Sequence, residues 1–183
     1  MRMLCPICNV KNRKMLKMIK LEEKLIGYHC LNCGGHWICS RDYHKWLDIK
    51  GGILEEKDEY DITLKPDDIV TAKLCPECTR IMTKYKVGHG LPFQIDVCGT
   101  CNGFWLDKNE WEILKSKNLH DEINKIFTRP WQKDIREEEN REKLSRVIEK
   151  RMGRDVFEKT LEFQKWLNEQ EDKDIILSYL RSW

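Results

Sequence analysis

Long apolar runs are what this 183-residue chain has least of. No stretch approaches the roughly 18 apolar residues of a membrane span, so a role in crossing a membrane is not expected. Met1, Arg2, Met3 and Leu4 lead straight into Cys5, which leaves no apolar segment of signal-peptide length. A chain without an export signal is expected in the cytoplasm, where thiols stay reduced and a regular cysteine pattern points to metal or redox chemistry. Hydrophobic residues make up 40% and charged residues 35%, so no large apolar core is expected. Small modules with little to bury usually need a disulfide or a metal to hold them. Also missing are a Ser-His-Asp pattern, a glycine-rich phosphate loop and a histidine-carboxylate metal centre, so nothing speaks for an enzyme.

Cysteine, by contrast, is plentiful. Eight of the nine cysteines form four C-x-x-C pairs, Cys5/Cys8, Cys30/Cys33, Cys75/Cys78 and Cys98/Cys101, with 21 residues between the first two pairs and 19 between the last two. Such spacing is close to that of zinc sites. A two-residue gap lets one tight turn present both sulfurs to one ion, and two such turns close a tetrahedron, so the expected cofactor is zinc, two ions per chain. A four-thiolate tetrahedron also suits a rubredoxin-like iron centre, and the spacing does not separate the two metals. A dithiol redox pair fits less well, because that motif normally comes singly beside a βαβ pattern.

The second pair and its sequel recur at a constant offset of 68: Cys30 and Cys98, Cys33 and Cys101, Gly35 and Gly103, Trp37 and Trp105. The first pairs, CPIC and CPEC, are 70 apart, which places a two-residue shortening in the hairpin of the second copy. Within the copies, 15–21 and 25–29, then 81–87 and 93–97, read as strands, giving one antiparallel hairpin per module. A lone hairpin is marginal, whereas a structural zinc site supplies about 10–16 kcal/mol of apparent binding free energy that is also folding free energy. Beyond the second copy, Asp107 and Glu110 have the spacing of a helix capping box; in the first copy Cys39 and Asp42 stand there and the cap is expected at Ser40.

The run CPEC followed by CGTCNGFWLDKNEW, with its weaker first copy CPIC and CLNCGGHWIC, resembles the transcription factor IIB type zinc ribbon domains of prokaryotic proteins. The resemblance covers two tandem copies and implies ribbons with four cysteine ligands each. The family name comes from a transcription-factor ribbon, which makes nucleic-acid binding an analogy.

The expected fold class is therefore small α+β: ribbon one over 1–50, an acidic linker over 51–71, ribbon two over 72–116 and a charged helical region over 117–183. Net charge runs +6, −5, +1 and 0 across these four segments. In the last, one helix is expected from Pro130 to Met152, with Leu144, Val147, Ile148 and Met152 as a contact stripe. A second is expected from Asp155, boxed by Glu158, and a third segment from Ile175. Oligomeric state is left open, since these helices can pack on each other or on a second copy.

Two classes of function remain, with a rubredoxin-like iron redox carrier as a third reading. A nucleic-acid or transcription-associated binder would use Lys11, Arg13, Lys14, Lys17 and Lys20 on phosphates; the bland reading of that cluster is a solvated face. A protein-protein adaptor would use the ribbons and helices against partners. Trp37 and Trp105 are expected to cover core rather than to stack on bases, and Cys39 to be an idle buried thiol. His29 and His36 are not needed beside a complete cysteine set, and His89, between two glycines, is expected in a solvated turn.

Overall fold

The computed structural model describes residues 3–8, 14–50, 64–66 and 71–182, so Lys11, Arg13 and the acidic run from Glu55 to Asp61 lie outside the described residues. In the first copy, β1 (Lys17–Glu22) and β2 (Leu25–His29) form an antiparallel hairpin with Lys17 opposite His29. A third strand, β3 (His36–Ile38), follows the second cysteine turn and leads into α1 (Ser40–Lys50). The second copy repeats this with β4 (Thr83–Gly88), β5 (Leu91–Val97), β6 (Phe104–Leu106) and α2 (Glu110–Ser116). Each module is thus three-stranded, not a bare hairpin. The third strands escape sequence reading because three residues are too few to show alternation.

The length difference between copies also lies elsewhere than expected. Nine positions separate Cys8 from Lys17 against five between Cys78 and Thr83, whereas the paired ends of the hairpin are 12 apart in the first copy (Lys17, His29) and 14 in the second (Thr83, Val97). The second copy shortens its approach to the hairpin and lengthens the hairpin itself.

The two modules share one six-stranded sheet in the order β1-β2-β3-β6-β5-β4. Strands β3 and β6 join it, antiparallel, with Trp37 opposite Trp105. Because these two residues are each other's counterparts at the offset of 68, a local two-fold axis passes through their pair. Both indoles are fully buried there. A Cβ on Gly35 would stand 2.2 Å from the ring of Trp105, and one on Gly103 would stand 2.4 Å from the ring of Trp37. Each copy's glycine is therefore the seat of the other copy's tryptophan, which gives the repeated G-x-W a physical reason: any side chain at the glycine would push the seam apart.

Period-two alternation then sorts the sheet into two faces. Leu25, Ile38, Phe93, Ile95, Phe104 and Leu106 face the helices and are buried with Tyr43, Trp46, Trp111 and Leu114. The opposite face carries the cysteines together with Met3, Leu16, Met82 and the two seam tryptophans. A helix-backed core of this extent corrects the expectation of a chain with little to bury, since each large apolar side chain contributes about 1.5–3 kcal/mol when fully covered. That expectation treats each module alone, and joining them doubles the face that helices can cover.

Residues past Ser116 extend that core. Helix α3 (Ile123–Ile126) buries Ile123 and Ile126, and Phe127 stacks near Tyr85 and Phe104. Helix α4 (Arg129–Met152) follows, with Pro130 in its first turn as expected. Its Trp131 Nε1 donates to the Val87 carbonyl at 2.9 Å, while the Gln132 amide donates to the Lys86 carbonyl at 2.8 Å and accepts from the Lys86 N–H at 3.3 Å. Those are main-chain groups of the edge strand β4, and covering them removes a site for unwanted strand pairing.

Helix starts differ from the expected caps. At α2, Glu110 Oε2 accepts from the Asp107 N–H at 2.7 Å, the glutamate half of the expected box, but the residue directly before the helix is Asn109, in a left-handed conformation and without a side-chain cap bond of its own. Helix α1 begins at Ser40, so the Cys39 carbonyl takes the first amide bonds, from Asp42 and Tyr43. Helix α5 (Arg154–Asn168) starts after Gly153 without a side-chain cap, because Glu158 pairs with Arg154 and Asp155 with Lys159. Helix α6 covers Lys173–Arg181.

The chain divides into two compact units, one up to Ile135 and one from Arg136 onward. In the second, Leu167 is the buried large apolar side chain among the described residues, while Leu144, Val147, Val156 and Trp166 are about half exposed. Among the described residues no helix is long and apolar enough to cross a membrane.

Candidate metal centres and the surfaces around them

Three of the four cysteine pairs are seen on turns with an amide pointing back at the first sulfur. The Cys8 N–H donates to Cys5 Sγ at 3.3 Å, the Glu77 N–H to Cys75 Sγ at 3.4 Å and the Cys101 N–H to Cys98 Sγ at 3.4 Å. Gly34 and Asn102, equivalent positions just past the second pair, both have positive φ (75° and 55°), and their amides close the turns onto the Cys30 and Cys98 carbonyls. Glycine and asparagine are the residues that take this conformation most readily.

These turns bring Cys5, Cys8, Cys30 and Cys33 into one cluster and Cys75, Cys78, Cys98 and Cys101 into another, all sulfurs of a cluster within 4.8 Å of one another. Separations within them include 3.6 Å (Cys5 to Cys33), 3.9 Å (Cys30 to Cys8) and 3.5 Å (Cys78 to Cys98). Zinc–thiolate bonds of about 2.3 Å in a tetrahedron set the sulfurs about 3.8 Å apart, so both clusters fit a zinc ion without rearrangement. All nine cysteines are free thiols. The protein thus has two four-cysteine sites that can hold zinc, one per copy. When bound, the ion supplies structural cross-linking, because four thiolates leave no open coordination position.

Crowding splits the thiol acidities within each cluster. A hydrogen bond from Cys5 brings Cys33 down to about 5, while that shared hydrogen and burial push Cys5 up. In the second cluster the Arg80 N–H draws Cys78 down to about 7, and burial raises Cys75 to about 12. One half-buried thiol in each cluster, Cys33 or Cys78, is thus drawn down, while its half-buried neighbours Cys8 and Cys101 are pushed up by burial.

Beside the second site lies a buried charge cluster that sequence reasoning misses. Lys73 Nζ donates to Asp96 Oδ2 at 2.6 Å and to Asp107 Oδ2 at 2.9 Å, with all three side chains 1% exposed. Lys84 reaches Asp96 from the rim at 3.1 Å. Burial pulls the Lys73 ammonium downward in pKa, but its two carboxylate partners outweigh that and leave it raised. Asp107 also accepts Trp105 Nε1 at 2.7 Å. At the matching positions the first copy has Met3, Tyr28 and Cys39, an apolar version of the same spot. With no carboxylate at Cys39, Trp37 Nε1 turns to Glu77 of the other copy at 3.0 Å. The one available signal is the repeat itself, which sets Asp107 against Cys39. Cys39 is buried, and burial together with Glu77 holds its thiol protonated.

Of the five basic residues near the first hairpin, Lys14, Lys17 and Lys20 are exposed, the last two on β1; Lys11 and Arg13 lie outside the described residues. Being three apart on a strand, Lys17 and Lys20 point to opposite faces. The buried seam leaves neither Trp37 nor Trp105 available to a base. His89 is exposed at its hairpin turn and stacks near Trp131, ring centres 4.7 Å apart.

A β-hairpin flanked by two cysteine turns around a four-sulfur site defines a zinc ribbon, and this chain holds two of them on one sheet. Residues 74–117 match the family described as transcription factor zinc-finger, the TFIIB-type zinc ribbon, and the cluster at Cys5 to Cys33 is consistent with a tandem second copy. No curated protein and no solved structure matches the chain.

Proposed function

We propose that this chain is a cytoplasmic, zinc-stabilised binding scaffold that acts as a protein-protein adaptor, its cysteines structural rather than catalytic. The supporting observation is a groove of about 520 Å³ between the first hairpin and α1. Its apolar lining includes Met18, Ile26 and Ile49, which are 68%, 40% and 45% exposed, and Lys20, Lys24 and Lys45 stand around it with one carboxylate, Asp42. An apolar floor within a basic rim fits an acidic amphipathic helix, whose apolar face fills the groove while its carboxylates meet the ammonium groups. The test is titration of the zinc-loaded protein with a labelled peptide carrying one leucine face and one glutamate face. Met18→Glu and Ile49→Glu should each weaken binding severalfold; equal affinity in wild type and both variants would overturn this reading.

A nucleic-acid or transcription-associated role is the second reading, favoured by the exposure of Lys14, Lys17 and Lys20, with Lys11 and Arg13 adjoining them in sequence. The burial of both seam tryptophans weighs against base stacking, which leaves ion pairing with phosphates as its source of affinity. Each phosphate that is no longer neutralised lowers the slope of log K against log salt by roughly 0.7–0.9. Neutralising Arg13, Lys14 and Lys17 together should therefore weaken and flatten salt-dependent binding to DNA or RNA, and no binding at low salt would remove this reading.

A further inference from the structure

About the local two-fold axis, one groove is filled in part by the α3 segment, which leaves a cavity of about 390 Å³ beside His44, Val97 and Asn124, and among the described residues no such segment enters its mate. In the filled groove, the segment around α3 sits between α1 and the β4–β5 hairpin. Tyr43 Oη donates to the His120 carbonyl at 2.9 Å and accepts from the Ile123 N–H at 3.3 Å. His44 Nε2 meets the Asn124 amide nitrogen at 3.2 Å, and Phe127 packs against Tyr85. At the repeat offset, Tyr43 becomes Trp111, His44 becomes Glu112 and Val97 becomes His29. All three of these line a cavity of about 560 Å³ with Leu21, Leu31 and His36. From the linker, Lys65 reaches its rim, its carbonyl accepting a hydrogen bond from the Asn109 side chain at 3.0 Å.

Three side chains of this lining hold a buried nitrogen without a partner among the described residues: Trp111 Nε1, His29 Nδ1 and His36 Nδ1. Native structures seldom leave such groups unsatisfied. The two imidazoles are opposite one another on β2 and β3, rings 4.6 Å apart. Trp111 Nε1–H is a donor at the position from which Tyr43 reaches a main-chain carbonyl in the filled groove. Glu112, its side chain 53% exposed and 3.8 Å from Lys115, places a carboxylate where the filled groove has a histidine facing Asn124, with Lys108 also in the lining.

We infer that the open groove is a docking seat for a short hydrophobic helical turn of a partner protein, built like residues 123–127 but with a lysine or arginine in the place of Asn124. The apolar spacing follows from the filled mate, the carbonyl partner from Trp111, and the basic residue from charge complementarity with Glu112. This seat is separate from the basic groove beside α1, so the two stand or fall independently.

The probe is a labelled peptide of residues 117–128 carrying Asn124→Lys, titrated into the full-length, zinc-loaded protein. Saturable binding is expected, reduced at least about tenfold by Leu31→Glu, a change at a side chain 68% exposed, and by Glu112→Lys. The same peptide with Asn124→Glu should prefer Glu112→Lys over wild type, which a merely unfolded variant cannot do, while Met18→Glu should leave binding unchanged. No binding, or binding that ignores Leu31→Glu because the peptide displaces the chain's own α3 segment, would overturn the inference. Self-association of the wild type that Leu31→Glu abolishes would assign the seat to a second copy and overturn the partner reading.

Discussion

Lys73 carries its charge into a place where water does not follow, and its two carboxylates make that tolerable. Removing one partner of such a cluster costs far more than neutralising all of it, because the survivors stay charged and buried. Lys73→Met is therefore expected to lose about 3–5 kcal/mol in urea denaturation, and Lys73→Met/Asp96→Asn/Asp107→Asn less than the single change. The Lys73 pKa is raised above its ordinary 10.5, so the stability it contributes is fully present below that value and is lost as pH rises through the folded-state pKa. As pH rises, the gap between wild type and Lys73→Met should accordingly persist through the alkaline range and close only above about 10.5. A second expectation at this scale concerns the seam. Gly35→Ala and Gly103→Ala each drive a methyl group into an indole and should cost about 1–3 kcal/mol by thermal melting. The cysteines are legible in the sequence because their spacing is local. The charge cluster is not, because its members lie 23 and 34 positions apart and only the register of the folded strands brings them together.

Among the elements, the hairpins are legible from alternation, and their boundaries in the fold differ by only a few residues. The third strands and the 117–135 segment are not, for two physical reasons. Three-residue strands such as β3 and β6 exist through the partner each finds across the seam, and that partner is 68 positions away. The segment after Ser116 is polar enough to look like the beginning of a solvated helical region, yet Ile123, Ile126 and Ile135 are buried. Gln132 makes its importance measurable: it makes hydrogen bonds with Lys86 on both main-chain groups and donates to the Ile126 carbonyl at 2.9 Å. Gln132→Ala should cost about 1–3 kcal/mol through the main-chain groups left without partners, and hydrogen exchange at the Lys86 amide should quicken while the amides of β1 and β2 stay as they were.

On the scale of the whole molecule, two ribbons that the sequence presents as separate modules form one sheet about a two-fold axis, with a four-cysteine cluster in each half and a shared helix-backed core. Loss of one metal should then be felt by both halves: a shared sheet transmits strain that separate beads on a linker would not. The most direct measurement is native mass spectrometry of the purified protein with Cys8→Ser and Cys78→Ser beside it, each followed by thermal melting. The account predicts two zinc ions in the wild type and one in each variant, and a single cooperative transition that shifts down as a whole when either ion is lost. One ion in the wild type, an iron chromophore, or two independent transitions of which each variant loses only its own would contradict it.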